Sequence, residues 1–174
     1  EATLTAPTFA AAYYHGHRAT AAAIFNDLDA LQKHATAGMP MLRFIPGNYL
    51  VFRAHMLFAL ALCQRLTSLS EEERGASIAE IDKSLKWIRR RAKDAPFNFL
   101  HLQLWIEAER AWATGDYWAA TSSFSLAMVE VSKRSRPWHA ALITERAGRF
   151  HLSQGMVHSG EPLVAAALRA YDSW

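Results

Sequence analysis

A chain of 174 residues, 51% hydrophobic and 20% charged, carries enough apolar material for one packed domain or a short repeat array and is far from a disordered composition. Thirty-two alanines against seven isoleucines and five valines favour helix over sheet, and 14 glycines and prolines together are too few for an all-β protein of many tight turns. A net charge of +3 does not imply nucleic acid unless it clusters, and the single cysteine, Cys63, excludes an internal disulfide framework and suits a reducing, cytoplasmic setting.

Helix-like segments are punctuated by Gly16, Gly38–Pro40, Pro46–Gly47, Pro96, Gly115, Pro137, Gly155 and Gly160–Pro162. They predict eight helices, over about 8–15, 17–37, 47–67, 71–94, 97–114, 117–135, 138–154 and 160–173. The first opens on an apolar run from Phe9 to Tyr14, so its outer face is expected to be covered by a neighbouring chain or left exposed. The chain starts at Glu1 without a methionine, which makes a piece of a larger protein the expectation. The richest apolar stretch, Met56 to Cys63, is far shorter than the roughly 20 residues that span a bilayer, so no membrane insertion is expected. Ser70 and Glu73 form a capping box for the fourth helix, whose acidic start and basic end both suit the helix dipole. Asp116 is placed to cap the sixth, and Pro96 and Pro137 stand near helix starts. Apolar residues recur at helical spacing: Ile78, Ile81, Leu85 and Ile88; Leu102, Trp105, Ala108 and Trp112; Phe124, Ala127 and Val131.

The pattern repeats. Gly115 is followed by Phe124 and Ala127, Gly155 at the same offsets by Val164 and Ala167, and Gly16 by Phe25 and Leu28. A glycine turn, then a large and a small apolar residue on the second helix, is the grammar of a helix–turn–helix repeat. The small residues Ala108, Ala127 and Gly148 are expected where helices cross. A non-repetitive helical bundle is the plainer alternative.

Little chemistry is legible. No Walker A loop, GxGxxG or protein-kinase signature occurs, and eight histidines form no HExxH or Cys/His cluster, so neither a metal nor another cofactor is expected. Cys63 lies in an alanine–leucine run and reads as a buried thiol. The run Lys86 to Lys93 is the strongest basic cluster; it could meet nucleic acid or an acidic partner, and a solvated helix end is favoured. The six tryptophans read mainly as core, with one or two available as interface anchors.

Three stretches carry a family resemblance: Asn98-Phe99-Leu100-His101, Glu107-Ala108-Glu109-Arg110-Ala111 and Gly115-Asp116-Tyr117-Trp118-Ala119-Ala120. Glu145-Arg146-Ala147, Phe150, Leu152, Gly155, Tyr171 and Trp174 continue it. The pattern resembles the tetratricopeptide-like region of large bacterial signalling proteins. It covers roughly 46–174, best over 96–155, and departs at Leu102-Gln103 and Ser122-Ser123. The resemblance implies a kinase-like domain and an AAA/STAND-type ATPase before the repeats, and a GAF domain and sensor histidine kinase after them.

The expected fold is therefore all-α, a right-handed superhelix of about four antiparallel helix pairs, over about 8–37, 47–94, 97–135 and 138–173, in one domain. The expected function is a non-catalytic protein-interaction scaffold coupling an ATPase to sensor and kinase modules. Its partners would be proteins, including domains of the same parent or a second copy through exposed terminal helices. In such arrays the first helix of each pair lines a groove, which places Leu102, Trp105, Glu109 and Trp112, with Leu142, Glu145, Arg149 and Leu152, on the groove. Trp105 and Trp112 would anchor a partner, and Glu109 and Arg149 could pair across its floor. Two alternatives come from other classes. Arg146 and His151 fit the loose Arg–His spacing of HEPN-type ribonucleases, where arginine stabilises phosphate charge and histidine moves a proton. Helical repeats also serve as small-molecule sensors.

Overall fold

A computed structural model describes residues 8–173; Trp174 lies outside them. Among these residues the chain is all-helical, with α1 at Phe9–Ile24, α2 at Leu28–Gly38, α3 at Tyr49–Arg65, α4 at Glu71–Asp94, α5 at Pro96–Thr114, α6 at Tyr117–Ser132, α7 at Pro137–Ser153 and α8 at Val157–Asp172. Short 3-10 turns occupy Met39–Phe44 and Leu66–Ser68. The chain divides into two compact units, one ending at Arg91 and one beginning at Ala92.

Local chemistry sets most helix starts. Thr8 Oγ1, Asp27 Oδ1, Asn48 Oδ1 and Asp116 Oδ1 each accept a backbone N–H of the first turn, at 2.8–3.1 Å. The Ser70–Glu73 box closes reciprocally, with Ser70 N–H donating to Glu73 Oε2 at 3.0 Å and Glu73 N–H to Ser70 Oγ at 3.4 Å. Pro96 and Pro137 open α5 and α7, where a missing N–H costs nothing.

In the first unit α1, α2 and α3 pack together. Gly16 was expected to be a turn between two helices. It lies instead inside α1 and is buried, because Leu50 of α3 sits on it: an added Cβ would stand 2.5 Å from Leu50 Cδ1. The chain turns at Phe25–Asp27, where Asn26 takes φ 54° and Asp27 caps α2. Phe25, expected as a repeat core position, is 82% exposed, so the Gly16 alignment does not hold. The window Tyr49–Ser68, α3 with its 3-10 turn, is long and apolar enough to cross a membrane by length and composition, which corrects the expectation that no stretch approaches that length. Its apolar side chains serve the core: Met56, Leu57, Ala59 and Leu60 are fully buried. Against α3, α4 brings Trp87, with Phe52 and Trp87 centroids 5.8 Å apart and the His55 ring stacked on Trp87 at 4.4 Å.

In the second unit α5 packs on α6 and α7 on α8, with turns at Gly115 (φ 83°) and Gly155 (φ 74°). Cross-links between α5 and α7 join residues 37 or 38 apart: Asn98 with Arg136, His101 with His139, and Glu109 with Arg146. The two helices therefore run parallel. Ala108 and Ala127 are fully buried, as expected for crossings. Gly148 leaves no room for a side chain: an added Cβ would lie 2.8 Å from Val164 Cγ2 and 3.0 Å from the Val164 backbone nitrogen. Gly160, expected in a turn, is instead the other half of this contact, inside α8 and 2.6 Å from Leu152 Cγ by the same measure.

These environments give opposite expectations for two glycines. Gly148→Ala forces backbone apart and is expected to destabilise by about 1–3 kcal/mol, lowering the melting temperature by roughly 2–4 °C per kcal/mol. Gly75→Ala meets nothing within 4 Å on α4 and is expected to stabilise by about 0.5–1 kcal/mol. Thermal unfolding of both variants checks this; equal shifts of the same sign would contradict the crossing.

Candidate functional site

The second unit buries an acid and its counter-ion. Glu109 on α5 is 1% exposed. Its two oxygens accept from Arg146 Nε at 2.6 Å and Arg146 Nη2 at 2.7 Å, a bidentate fork, and Oε1 also accepts from Trp105 Nε1 at 3.0 Å. The Arg146 guanidinium stacks over Trp112, 4.8 Å from the ring centroid. Each buried charge is thus paired and hydrogen-bonded, the condition under which it can stay buried.

Two turns N-terminal on α5, His101 and His139 join Nε2 to Nδ1 at 2.9 Å, both buried, with the Trp138 ring edge-on to His139. One imidazole donates and the other accepts. Burial pushes the His101 pKa down to about 4; Arg134 and Arg136 add to this, and Glu130 opposes it. The first unit repeats the device. His15 of α1 and His34 of α2 meet through their Nδ1 atoms at 3.0 Å, and burial lowers both pKa values. They line a narrow cleft of about 10 Å³, with Ala12, Gly16, Ala35, Gly38 and Leu57 around it, far smaller than ordinary ligand pockets. His55 is held at about 4 by burial and then by Arg91.

The eight residues expected on a groove do not share a surface. Leu102, Trp105, Glu109 and Leu142 are interior. Trp112 is half-buried, with Phe124 and Phe150 edge-on to it. Glu145 accepts from Arg149 Nε at 2.7 Å and from the Tyr171 hydroxyl at 3.0 Å. Only Arg149 and Leu152 are exposed. Glu109 therefore pairs with Arg146 and not with Arg149. Both arginines lie on α7, but Arg149 projects outward, where Glu145 one turn earlier holds it. Arg146, half of the expected ribonuclease pair, has its guanidinium committed to Glu109, and His151 is half-buried beside Phe150. Among the described residues no group of three His, Cys, Asp or Glu could hold a metal ion. The basic residues Lys86, Arg89, Arg90 and Arg91 are exposed on α4, and Arg91 lies over Trp87 at 4.4 Å.

The surface that sequence reasoning missed is on α6. Its buried side is Ala120, Phe124, Ala127 and Val131. Two residues earlier in each case, about 200° around the helix, stand Trp118, Ser122, Ser125 and Val129, all exposed. Trp118 is 85% exposed, and Leu126 beside the stripe is 50% exposed. The helix has one charged residue, Glu130, in its 16 positions. That scarcity of charge was the signal available in the sequence, since a surface helix ordinarily carries charged residues on its outer face.

Comparison with known protein families, with curated proteins and with solved structures finds no match to this chain.

Two outcomes follow from the buried groups. Arg146→Met leaves Glu109 without its counter-ion and is expected to cost about 3–5 kcal/mol, while adding Glu109→Leu should recover a large part of that loss. Denaturant midpoints of the single and double variants check it; strictly additive losses would contradict a coupled pair. The histidines set the pH dependence. A folded pKa near 4 for His101 and His55, against about 6.5 unfolded, means that the unfolded chain takes up protons first. Their stabilising contribution is complete above pH ~6.5 and is lost as the pH falls towards ~4. Midpoints measured from pH 7 to 4 should decline over this window; a flat profile would contradict neutral buried imidazoles.

Proposed function

We propose that this chain is a non-catalytic protein-interaction scaffold: a tetratricopeptide-like array of antiparallel helix pairs in a right-handed superhelix, acting in the cytoplasm within a bacterial signal-transduction protein. In that role it couples an ATPase module to sensor and kinase modules. The parent architecture rests on the sequence resemblance alone. The repeat reading is supported by a spacing of 40 residues that relates like environments in the second unit: Gly115 and Gly155 at left-handed turns, Ala108 and Gly148 at helix contacts, Ala127 and Ala167 in the core.

The observation that carries the interaction role is the outer face of α6, where Trp118 and Val129 stand exposed on a helix with one charged residue. Soluble proteins rarely leave such a face in water, and tryptophan is the commonest interface anchor. The HEPN-type ribonuclease reading would need the Arg146 guanidinium at a phosphate, whereas it is spent on Glu109. The small-molecule reading would need more room than the cleft beside His15 and His34 provides.

Trp118→Lys and Val129→Lys, made separately in the full-length parent, are expected to leave the melting temperature unchanged and to reduce regulation of its phosphoryl-transfer output by about tenfold, the loss of one interface anchor. Stable variants with unaltered output would contradict the interaction role of this face.

A further inference from the structure

We propose that the junction of α1 and α3 around Arg53 is a binding site for a phosphate group, free or as a monoester, held by the Arg53 guanidinium with the Tyr13 hydroxyl and the Asn48 amide beside it. The site lies in the first unit and is independent of the α6 face. It is built on a cation that no carboxylate answers. Arg134 and Arg146 reach carboxylates, Glu130 at 3.1 Å and Glu109 at 2.6 Å. Arg53 of α3 is half-buried, and its Nε is shut from solvent without a hydrogen-bond partner. Its Nη2 meets His17 Nδ1 of α1 at 3.5 Å, the outer limit of a hydrogen bond. Burial pushes the Arg53 pKa down, and the groups that offset this are Tyr49 and Tyr13, not an acid.

The acids of the first three helices are committed elsewhere. Between residues 8 and 70 the sequence has Asp27 and Asp29 against Arg18, Lys33, Arg43, Arg53 and Arg65, two acids and five cations, an excess of three positive charges. Asp27 Oδ1 caps α2 by accepting the Ala30 N–H at 3.0 Å, and Asp29 stands 3.5 Å from Arg65. Beside Arg53 the polar groups are donors. Tyr13 lies one turn before His17 on α1, with ring centroids 6.2 Å apart. Asn48 Oδ1 accepts the Leu50 N–H at 2.8 Å as the cap of α3, which leaves its amide nitrogen to donate to the Tyr13 oxygen at 2.7 Å. Since Tyr13 accepts there, its own O–H is left to donate outward, as is the second N–H of Asn48. The start of α3 adds the positive end of a helix dipole. A guanidinium among donors, in a set of helices with excess positive charge, selects an oxyanion. The excess of three favours phosphate, which carries nearly two charges, over a carboxylate, which carries one.

The test is a titration of the 174-residue chain with sodium phosphate at constant ionic strength, followed by two-dimensional NMR at the Arg53 Nε–H, the Asn48 side-chain amide and the backbone amides of α3, with sodium acetate as the parallel arm. Phosphate is expected to saturate with a dissociation constant of about 1 mM, and acetate to bind about tenfold more weakly. Arg53→Gln is expected to weaken phosphate by about tenfold or more and Tyr13→Phe several-fold. Arg65→Gln, which removes the same charge from the same helix, is expected to leave the affinity unchanged. Melting temperature gives a second readout. Without phosphate Arg53→Gln should melt no lower than the wild type, because it removes a half-buried cation that has no counter-ion, and added phosphate should raise the melting temperature of the wild type only. No saturation by about 50 mM phosphate would overturn the inference. Equal weakening by Arg53→Gln and Arg65→Gln would also overturn it, since that marks diffuse attraction to the whole unit. Acetate binding as tightly as phosphate would overturn the choice of phosphate. An Arg53→Gln chain that melts well below the wild type without phosphate would overturn the unanswered cation on which the site is built.

Discussion

A carboxylate that is 1% exposed has to be answered by its surroundings, and in the second unit Glu109 organises much of what lies around it. Its oxygens fix the Arg146 fork and the Trp105 indole, and Arg146 in turn lies over Trp112. A two-pronged bond tolerates little sliding, so it sets the register of α5 against α7. The same register puts His101 on His139 and Arg136 beside Asn98. Hydrophobic burial supplies most of the stability of such a unit, but apolar side chains accept several registers. A buried ion pair accepts one, since any other leaves two charges without partners.

Once these groups are spent on structure, the candidates for chemistry thin out. Arg146 serves Glu109, the paired histidines serve each other, and burial lowers the pKa values of His101, His15 and His34. Each histidine pair is a polar clasp inside an apolar contact. Among the outward faces α6 stands out for its scarcity of charge: its outer stripe repeats its buried stripe with alanine and phenylalanine exchanged for tryptophan and serine and the valine kept.

Much of the fold was legible because caps and turns are local. The Ser70–Glu73 box, the Asp116 cap, Pro96 and Pro137, and the left-handed Gly115 and Gly155 each act within a few residues, and the helices from α4 onward begin or end close to them. Gly16 misled because a helical glycine that admits Leu50 looks, in one sequence, like a glycine that ends a helix. The true boundary was marked by Asn26-Asp27, a left-handed residue followed by a cap. Gly160 misled in the same way. The Glu109 pairing failed for a different reason. The expected alignment sets residues 40 apart as equivalents and so matches Glu109 with Arg149, but parallel α5 and α7 touch at 37 and 38, which makes Arg146 the contact of Glu109. Packing offsets of two or three residues are tertiary facts that no single-chain periodicity contains. The α6 face was hidden by its core residues, since Phe124, Ala127 and Val131 already accounted for an apolar helix.

Which tryptophans meet solvent separates a surface on α6 from a groove along α5. Hydroxyl-radical footprinting of the isolated chain and of the full-length parent, read by mass spectrometry at each tryptophan, measures this directly. The expected result is strong oxidation of Trp118 in the isolated chain, protection of Trp118 in the parent, and a silent Trp105 in both. Oxidation of Trp105 as strong as that of Trp118, or a Trp118 signal equal in the two samples, would contradict the assignment of function to α6.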